Sequence, residues 1–476
     1  MQVQIELERR FWFLIVVALL SLLCLWGIGD IAFVSLNEAR RAVTVREMFQ
    51  SHDWLLPRMN DELYLAKPPL FYWLALLPVS LFGAVSEWAV RLPSALFALA
   101  SMGGAYYWGS RLGGRGMGIF ASLFLAANAS FSQFARGAEI EMTLTGFCFL
   151  SLLCAWVYIF HDGRRRWSIL SYLLLGGGLL TKGPVCLLLV TLPVLLFSLL
   201  QRGTRARQYL CDLPGWLIAL GLGVSWYLVV TLHEGLGVWQ AIFKQDIIDK
   251  VSGQAPDHWY AYLLYVGGDF FPFLLILLVR PRQLWRQIKD NPQLKLLLCS
   301  VLAPLLVFSL FSDKHAKYLL PAYPLFALLL ALHWMQVLGA LGGWKRRVLL
   351  WTPLVLVACF VGFFTLAQAR VFAYRVEALP AITRVAEAHA ELPLYTLGVP
   401  DMRLVYYAGR PVRTLNPEAL ASVDKGLLFV EGKLPETLAL DPRCVQPPVK
   451  RYLSKRKDLQ VVLLGSACAA PPAVAN

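Results

Sequence analysis

The sequence predicts a polytopic α-helical membrane protein of about eleven to thirteen transmembrane helices, followed by a small extracytoplasmic α/β domain at the C-terminal end. Three observations carry that expectation. Of the 476 residues, 58% are hydrophobic and only 16% are charged, with a mean hydropathy of +0.58, far more apolar surface than a water-soluble chain of this size can use. Apolar runs near the roughly 20-residue length of a bilayer crossing recur along the first three quarters of the chain. Beyond residue 368 the apolar runs shorten to strand length and alternate with helical patterns.

Taken in order, the spans lie near 11–31, 88–110, 115–131, 142–160, 166–181, 184–200, 213–232, 259–279, 295–311, 317–336 and 347–368. The first follows Arg9 and Arg10 and lacks a small-x-small cleavage site, so it reads as a retained span. Every second loop is basic, from Arg111 and Arg115 through Arg164–Arg166, Arg202–Arg207 and Arg280–Lys289 to Lys345–Arg347. These loops mark the cytoplasmic side and place the N-terminus inside. The alternate loops and everything from Ala369 onward then face outside. The net charge of +14 is accounted for by these loops, which argues against nucleic acid as a partner. The expected division is a membrane domain over 1–368, including a first outer loop at 32–87, and an extracytoplasmic domain over 369–476.

In that last domain the strand-length runs are PLYTLG, PVRTL, GLLFVEG and LQVVLLG, with helical character at Ile382–Ala390 and Pro417–Val423. Cys444 and Cys468 fall there and are candidates for a disulfide in an oxidising compartment. The terminal ACAAPPAVAN reads as a frayed end. Six other cysteines lie inside apolar runs, as small core residues. Gly176–Gly178 lies inside a span, where glycines serve close helix packing.

The informative polar residues gather on the outward loops. The first loop carries Asn37, Glu38, Arg40, Arg41, Arg58 and Lys67 among aromatic residues, a mixture suited to a membrane surface. Glu139 and Glu141 open the fourth span beside Arg136. A carboxylate at a span's water edge is either paired, favoured by the helix dipole, or functional. Lys182 and Lys314 sit in short outer loops, where orientation rules favour few positive charges. Lys244, Lys250 and Lys317 add further cations; any single one serves equally as a lipid anchor. Tyr318, Tyr323, Trp259 and Tyr260 could stack on a sugar or form the aromatic belt. There is no GxGxxG, no GxxxxGK[ST] and no HExxH, and the histidines are too dispersed for a metal site.

The ordered set of short motifs over about residues 10–335 resembles the GT-C membrane glycosyltransferases that use polyprenyl-phosphate sugars, in the branch of the lipid A aminoarabinose transferases and protein O-mannosyltransferases. The family's Asp-Glu-x-Arg-Tyr-Ala is matched by Asn37-Glu38-Ala39-Arg40-Arg41-Ala42, followed by Arg46-Glu47-Met48. Its later elements match Asp53–Arg58, Ala66-Lys67-Pro68-Pro69, Ala135–Met142, Lys182-Gly183-Pro184 and Lys314–Pro321. The resemblance implies sugar transfer from a polyprenyl (undecaprenyl) phosphate to a lipid A-like glycolipid or other envelope acceptor, at the outer, periplasmic face of a bacterial inner membrane. It implies Glu38 and Glu141, with Asn37, as the catalytic positions. Arg40, Arg41, Arg58, Lys67, Arg136, Lys182, Lys314 and Tyr318 would be the substrate-binding positions. No cofactor is expected, although a divalent cation stays an alternative to a fixed cationic cluster. Departures from the pattern are Asn37 and Ala66 where the family carries acids, and Glu141 where it carries Asp. The reading from another class is a transporter or flippase, or a non-catalytic binder, of lipid-linked sugars. The gathering of charge at one surface and the absence of a repeat favour the transferase.

Overall fold

A computed structural model describes residues 10–239, 257–312, 314–371, 373–434, 442–454 and 457–469. The chain packs as two compact units that interleave along the sequence. One comprises Met1–Ile28, Leu65–Leu77 and Arg91–Phe363, the other Gly29–Tyr64, Pro78–Val90 and Phe364–Asn476.

The first unit is helical, and each of the eleven expected stretches coincides with a helix or a pair of helical segments. Among the described residues five helices are long and apolar enough to cross a bilayer alone: Ile140–Phe160, Leu213–Glu234, Pro292–Ser309, Ala316–Ala340 and Gly343–Ala367. A sixth crossing is possible as the pair Arg115–Ala126 and Ala129–Ala135, bent by 75°. The bend falls at Asn128, whose side chain accepts from the Phe131 N–H at 2.8 Å and caps the second segment. Other stretches are shorter than the rule of 20 anticipates. Phe13–Leu25 and Val185–Leu200 are apolar but short, and 259–279 divides into Ala261–Asp269 and a 3-10 segment Phe273–Leu278 around Pro272.

The glycine run does pack helices closely. A Cβ on Gly176 would lie 3.0 Å from Leu222 Cβ, and one on Gly177 2.5 Å from the Phe147 ring. Helix Arg165–Lys182 is therefore seated against Ile140–Phe160 on one side and Leu213–Glu234 on the other, with no room for a larger residue.

The second unit differs from a simple surface loop followed by a separate domain. Residues 36–51 form a helix, Leu36–Ser51, whose N-cap Ser35 accepts from the Asn37 N–H at 3.3 Å. Ser35 and Glu38 also have the Ser-x-x-Glu spacing of a capping box. His52 ends the helix in the left-handed region, at φ 55°. The stretch read as polar thus hides a helical period: Ala39, Ala42, Val43 and Met48 are buried, and the helix packs on Met402–Tyr407. A hairpin follows, β1 (Arg58–Met59) and β2 (Glu62–Leu63). Asn60 and Asp61 turn it at φ 59° and 67°, the paired positive values of a type I′ turn. A further apolar helix, Leu70–Phe82, lies within the same expected loop.

The sheet of the second unit contains β3 (Leu394–Leu397), β4 (Val412–Leu415), β5 (Lys425–Glu431), β6 (Val445–Ser454) and β7 (Lys457–Gly465), in the order β4-β3-β5-β7-β6. β3 runs parallel to β4 and β5, and β7 runs antiparallel to β5 and β6. The four strand-length runs became β3, β4, β5 and β7. β6 was hidden by Pro447 and Pro448, which an edge strand with an irregular register tolerates. Leu428, Val430, Val462 and Leu464 form the core with Cys444. Cys444 is disulfide-bonded to Cys468 across a Cα separation of 5.0 Å. That bond and the short helix Ser466–Ala469 tie down the start of the segment expected to fray.

Candidate functional site: carboxylate and cation clusters

The predicted site residues divide between the two units. In the first, helix Ile140–Phe160 presents Glu141 in its opening turn, and helix Arg165–Lys182 brings Lys182 to its closing turn before Gly183, whose φ of 77° stops the helix. A carboxylate at a helix N-terminus and an ammonium at a C-terminus are each favoured by the local dipole. The Lys182 ammonium donates to Glu141 Oε1 at 3.1 Å. Lys317, on the 3-10 segment Ala316–Ala322, approaches the same oxygen at 3.9 Å. Tyr318 completes the cluster, its ring centroid 5.1 Å from Lys182 Nζ and 6.0 Å from Lys317 Nζ. Glu141 is only 4% exposed, whereas the side chains of Lys182 and Lys317 keep 17% and 27%. The carboxylate is thus the buried post, and the two ammonium groups are its accessible heads.

Lys314 is not part of that cluster of contacts. Its Nζ donates to the carbonyls of Phe311 at 2.6 Å and Asp257 at 3.3 Å, and its backbone N–H to Asp257 Oδ2 at 2.8 Å. Lys67 donates to the Ala66 carbonyl at 2.9 Å. Arg136 donates to the Leu23 carbonyl at 2.6 Å, which pins its helix to the first span. Lys244 and Lys250 lie outside the described residues.

In the second unit Asn37, Glu38, Arg40 and Arg41 lie in the first two turns of helix Leu36–Ser51. Glu38 and Arg41, three apart and so neighbours on the helix surface, are both buried, while Arg40 is exposed. Arg58 lies on the hairpin and reaches the Asp61 carbonyl at 3.4 Å. The rest of the motif is structural. Arg46 donates to the carbonyls of Tyr406 at 2.8 Å and Val405 at 3.0 Å, and burial lowers its pKa. Glu47 accepts the turn N–H groups of Asn60 at 2.9 Å and Asp61 at 3.0 Å. Burial nevertheless raises the Glu47 pKa, outweighing those donors and Arg46.

Two features escaped the sequence. Lys317 counted only as a further cation beside the favoured Lys314, yet it is Lys317 that meets Glu141. Asp269 accepts from Ser130 Oγ at 2.6 Å and from the Tyr323 hydroxyl, so Tyr323 is a buried network member and not a sugar platform. An Asp inside the apolar stretch 259–279 was the available signal. Among the described residues no group of three or more His, Cys, Asp or Glu could hold a metal ion.

Comparison with known proteins agrees with this architecture. A family model described as dolichyl-phosphate-mannose-protein mannosyltransferase matches residues 66–228. An undecaprenyl phosphate-alpha-4-amino-4-deoxy-L-arabinose arabinosyl transferase of Pseudomonas fluorescens is 29% identical over 339 residues, 69% of this chain and 60% of that protein. A Pectobacterium carotovorum protein of the same description is 29% identical over 67% of this chain and 58% of its own length. The chain thus spans about three fifths of the length of these relatives. The crystal structure of ArnT from Cupriavidus metallidurans bound to undecaprenyl phosphate superposes with a TM-score of 0.78 at 20% identity, covering 98% of this chain and 100% of that one. The fold is therefore that of a multi-pass GT-C membrane protein.

Proposed function

We propose that this chain is a glycosyltransferase of a bacterial inner membrane, working at its periplasmic face. It moves a sugar from a polyprenyl (undecaprenyl) phosphate to a lipid A-like glycolipid or other envelope acceptor. The observation that carries this reading is the Glu141 carboxylate held between Lys182 and Lys317 beside the Tyr318 ring. The arabinosyl transferase activity of the similar Pseudomonas and Pectobacterium proteins supports it.

In the reaction the acceptor oxygen attacks the anomeric carbon. The bond from that carbon to the phosphate oxygen breaks, and polyprenyl phosphate leaves with the electron pair. Negative charge builds on the leaving phosphate, where fixed cations lower the barrier most. Lys182 takes this role, with Lys67, Arg40, Arg41, Arg58 and Arg136 as further phosphate and headgroup contacts, while Lys314, expected among them, fixes its own turn through the Phe311 and Asp257 carbonyls. Glu141 holds the ammonium groups in place, and Tyr318 gives the sugar an apolar face. Glu38 takes the acceptor's proton where the acceptor is a hydroxyl. An acceptor phosphate arrives already ionised, so a neutral Asn37 beside Glu38 then costs nothing in chemistry and serves to bind. The membrane domain over 1–368 supplies the donor site, and the extracytoplasmic part over 369–476 lies on the acceptor's side.

The test is turnover by the purified full-length protein, given a panel of polyprenyl-phosphate sugars with total membrane lipids and envelope proteins as acceptors. Release of polyprenyl phosphate matched by a glycosylated acceptor is expected, with a loss of about 100-fold or more in Lys182→Met. Folded protein that binds the donors and transfers nothing across the panel would overturn the reading.

A further inference from the structure

Among the described helices of the first unit Pro281–Asp290 is the most strongly amphipathic, and its chemistry is separate from the Glu141 cluster. Leu284 and Ile288 are buried, while Arg282 and Arg286, four apart, share the opposite side. Together with Arg280, Gln283, Gln287 and Asp290 they line a hollow of about 560 Å³. Among the described residues no carboxylate forms an ion pair with any of the three arginines. Asp290 offsets one of the three positive charges in this lining, and the net positive charge that remains favours an anion in the hollow.

The hollow is also held in shape. Arg280 sits at φ 51° immediately before a proline, where a left-handed non-glycine residue is rare and strained. The chain entering it is pinned by a hydrogen bond from His333 Nε2 to the Val279 carbonyl at 2.6 Å, and the helix by Gln336 donating to Gln287. Its flank is apolar and uncovered: Leu278 is 77% and Trp285 61% exposed. Helix Pro292–Ser309 runs from this hollow toward the Lys314 turn. Its 18 residues put about 27 Å between the two, close to the thickness of a bilayer's hydrocarbon core.

We propose that this hollow binds the phosphodiester headgroup of an anionic phospholipid in the leaflet opposite the Glu141 cluster, with the acyl chains lying along Leu278 and Trp285. Charge complementarity sets the headgroup, and the exposed apolar flank selects a lipid over a soluble phosphate.

Full-length protein stripped of lipid would be titrated with phosphatidylglycerol, phosphatidylcholine, glycerol phosphate and inorganic phosphate, and retained ligand counted by native mass spectrometry. Preferential retention of phosphatidylglycerol is expected. Arg282→Gln/Arg286→Gln should weaken it roughly 30-fold, at about 1 kcal/mol per arginine and 1.4 kcal/mol per decade. Equal retention of the two lipids, unchanged retention in the variant, or equal binding of glycerol phosphate would overturn the proposal. Should the variant fail to fold, photoactivatable phosphatidylglycerol on the wild-type chain decides. Labels within 275–290 support the site, and labels confined to other segments refute it.

Discussion

The geometry of the Glu141 cluster makes a prediction that stands apart from the identity of any substrate. Glu141 Oε1 lies 3.1 Å from Lys182 Nζ and 3.9 Å from Lys317 Nζ. At an effective dielectric of about 20 the gross attractions are about 5 and about 4 kcal/mol. Most of that is offset by stripping water from a carboxylate that is 4% exposed. What survives in close, partly buried pairs is a coupling of about 2 kcal/mol. A double-mutant cycle of Glu141→Gln and Lys182→Met should therefore show about 2 kcal/mol of coupling. The cycle with Lys317→Met should show about 1 kcal/mol, because that pair is longer and its lysine more exposed. Unfolding by detergent titration of the full-length protein measures both. The same variants should be non-additive in turnover, since residues that act as a unit lose their effect together. Additivity of Glu141 and Lys182 within about 0.5 kcal/mol, or a larger coupling for Lys317 than for Lys182, would refute the carboxylate as the post that positions Lys182.

Other consequences are open to measurement on the second unit. Asn60 exchanges two hydrogen bonds with the backbone of Val412, both at 2.8 Å, from a left-handed conformation. Asn60→Ala should cost about 3 kcal/mol, one for each bond and one for the backbone, whereas Asn60→Gly should cost only about 2; thermal unfolding of the two variants separates the contributions. Because burial raises the Glu47 pKa, the folded unit holds a proton there that the unfolded chain releases sooner. Its stabilising contribution is full below the ordinary carboxylate range and is lost as pH rises through the raised value. Unfolding followed from pH 4 to 7 should show this decline, and Glu47→Gln should flatten it. The Cys444–Cys468 bond closes a loop of sequence separation 24, for which the chain-entropy estimate is about 3.5 kcal/mol. Cys444→Ser should thus speed proteolysis of β6 and β7, and reductant should have no further effect in that variant.

What could be read from the sequence, and what could not, follows from the range of the physics involved. Spans announce themselves locally, so all eleven stretches are helical, and a glycine triplet in an apolar run correctly marked the close approach of three helices. The lengths went astray where a single residue interrupts a run, as Asn128 and Pro272 do, because a cap or a missing N–H breaks a helix while the apolar run continues on either side. Helix Leu36–Ser51 was masked for the opposite reason. Its buried face includes Arg41 and Arg46, so its charge concealed its period, and the carbonyls of Val405 and Tyr406 that take up Arg46 lie about 360 residues away in sequence. The same long range explains the site. Sequence order put Lys314 and Lys317 in one turn and offered no way to tell them apart. The 3-10 twist of Ala316–Ala322 does so, turning Lys317 toward Glu141 while Lys314 closes on its own turn and Asp257. The motif Lys-x-x-x-Tyr therefore carries two different jobs. Its first lysine fixes the loop, and its neighbour at 317, which the motif leaves unspecified, shares the buried carboxylate with Lys182 and so sets how much positive charge faces the Tyr318 ring.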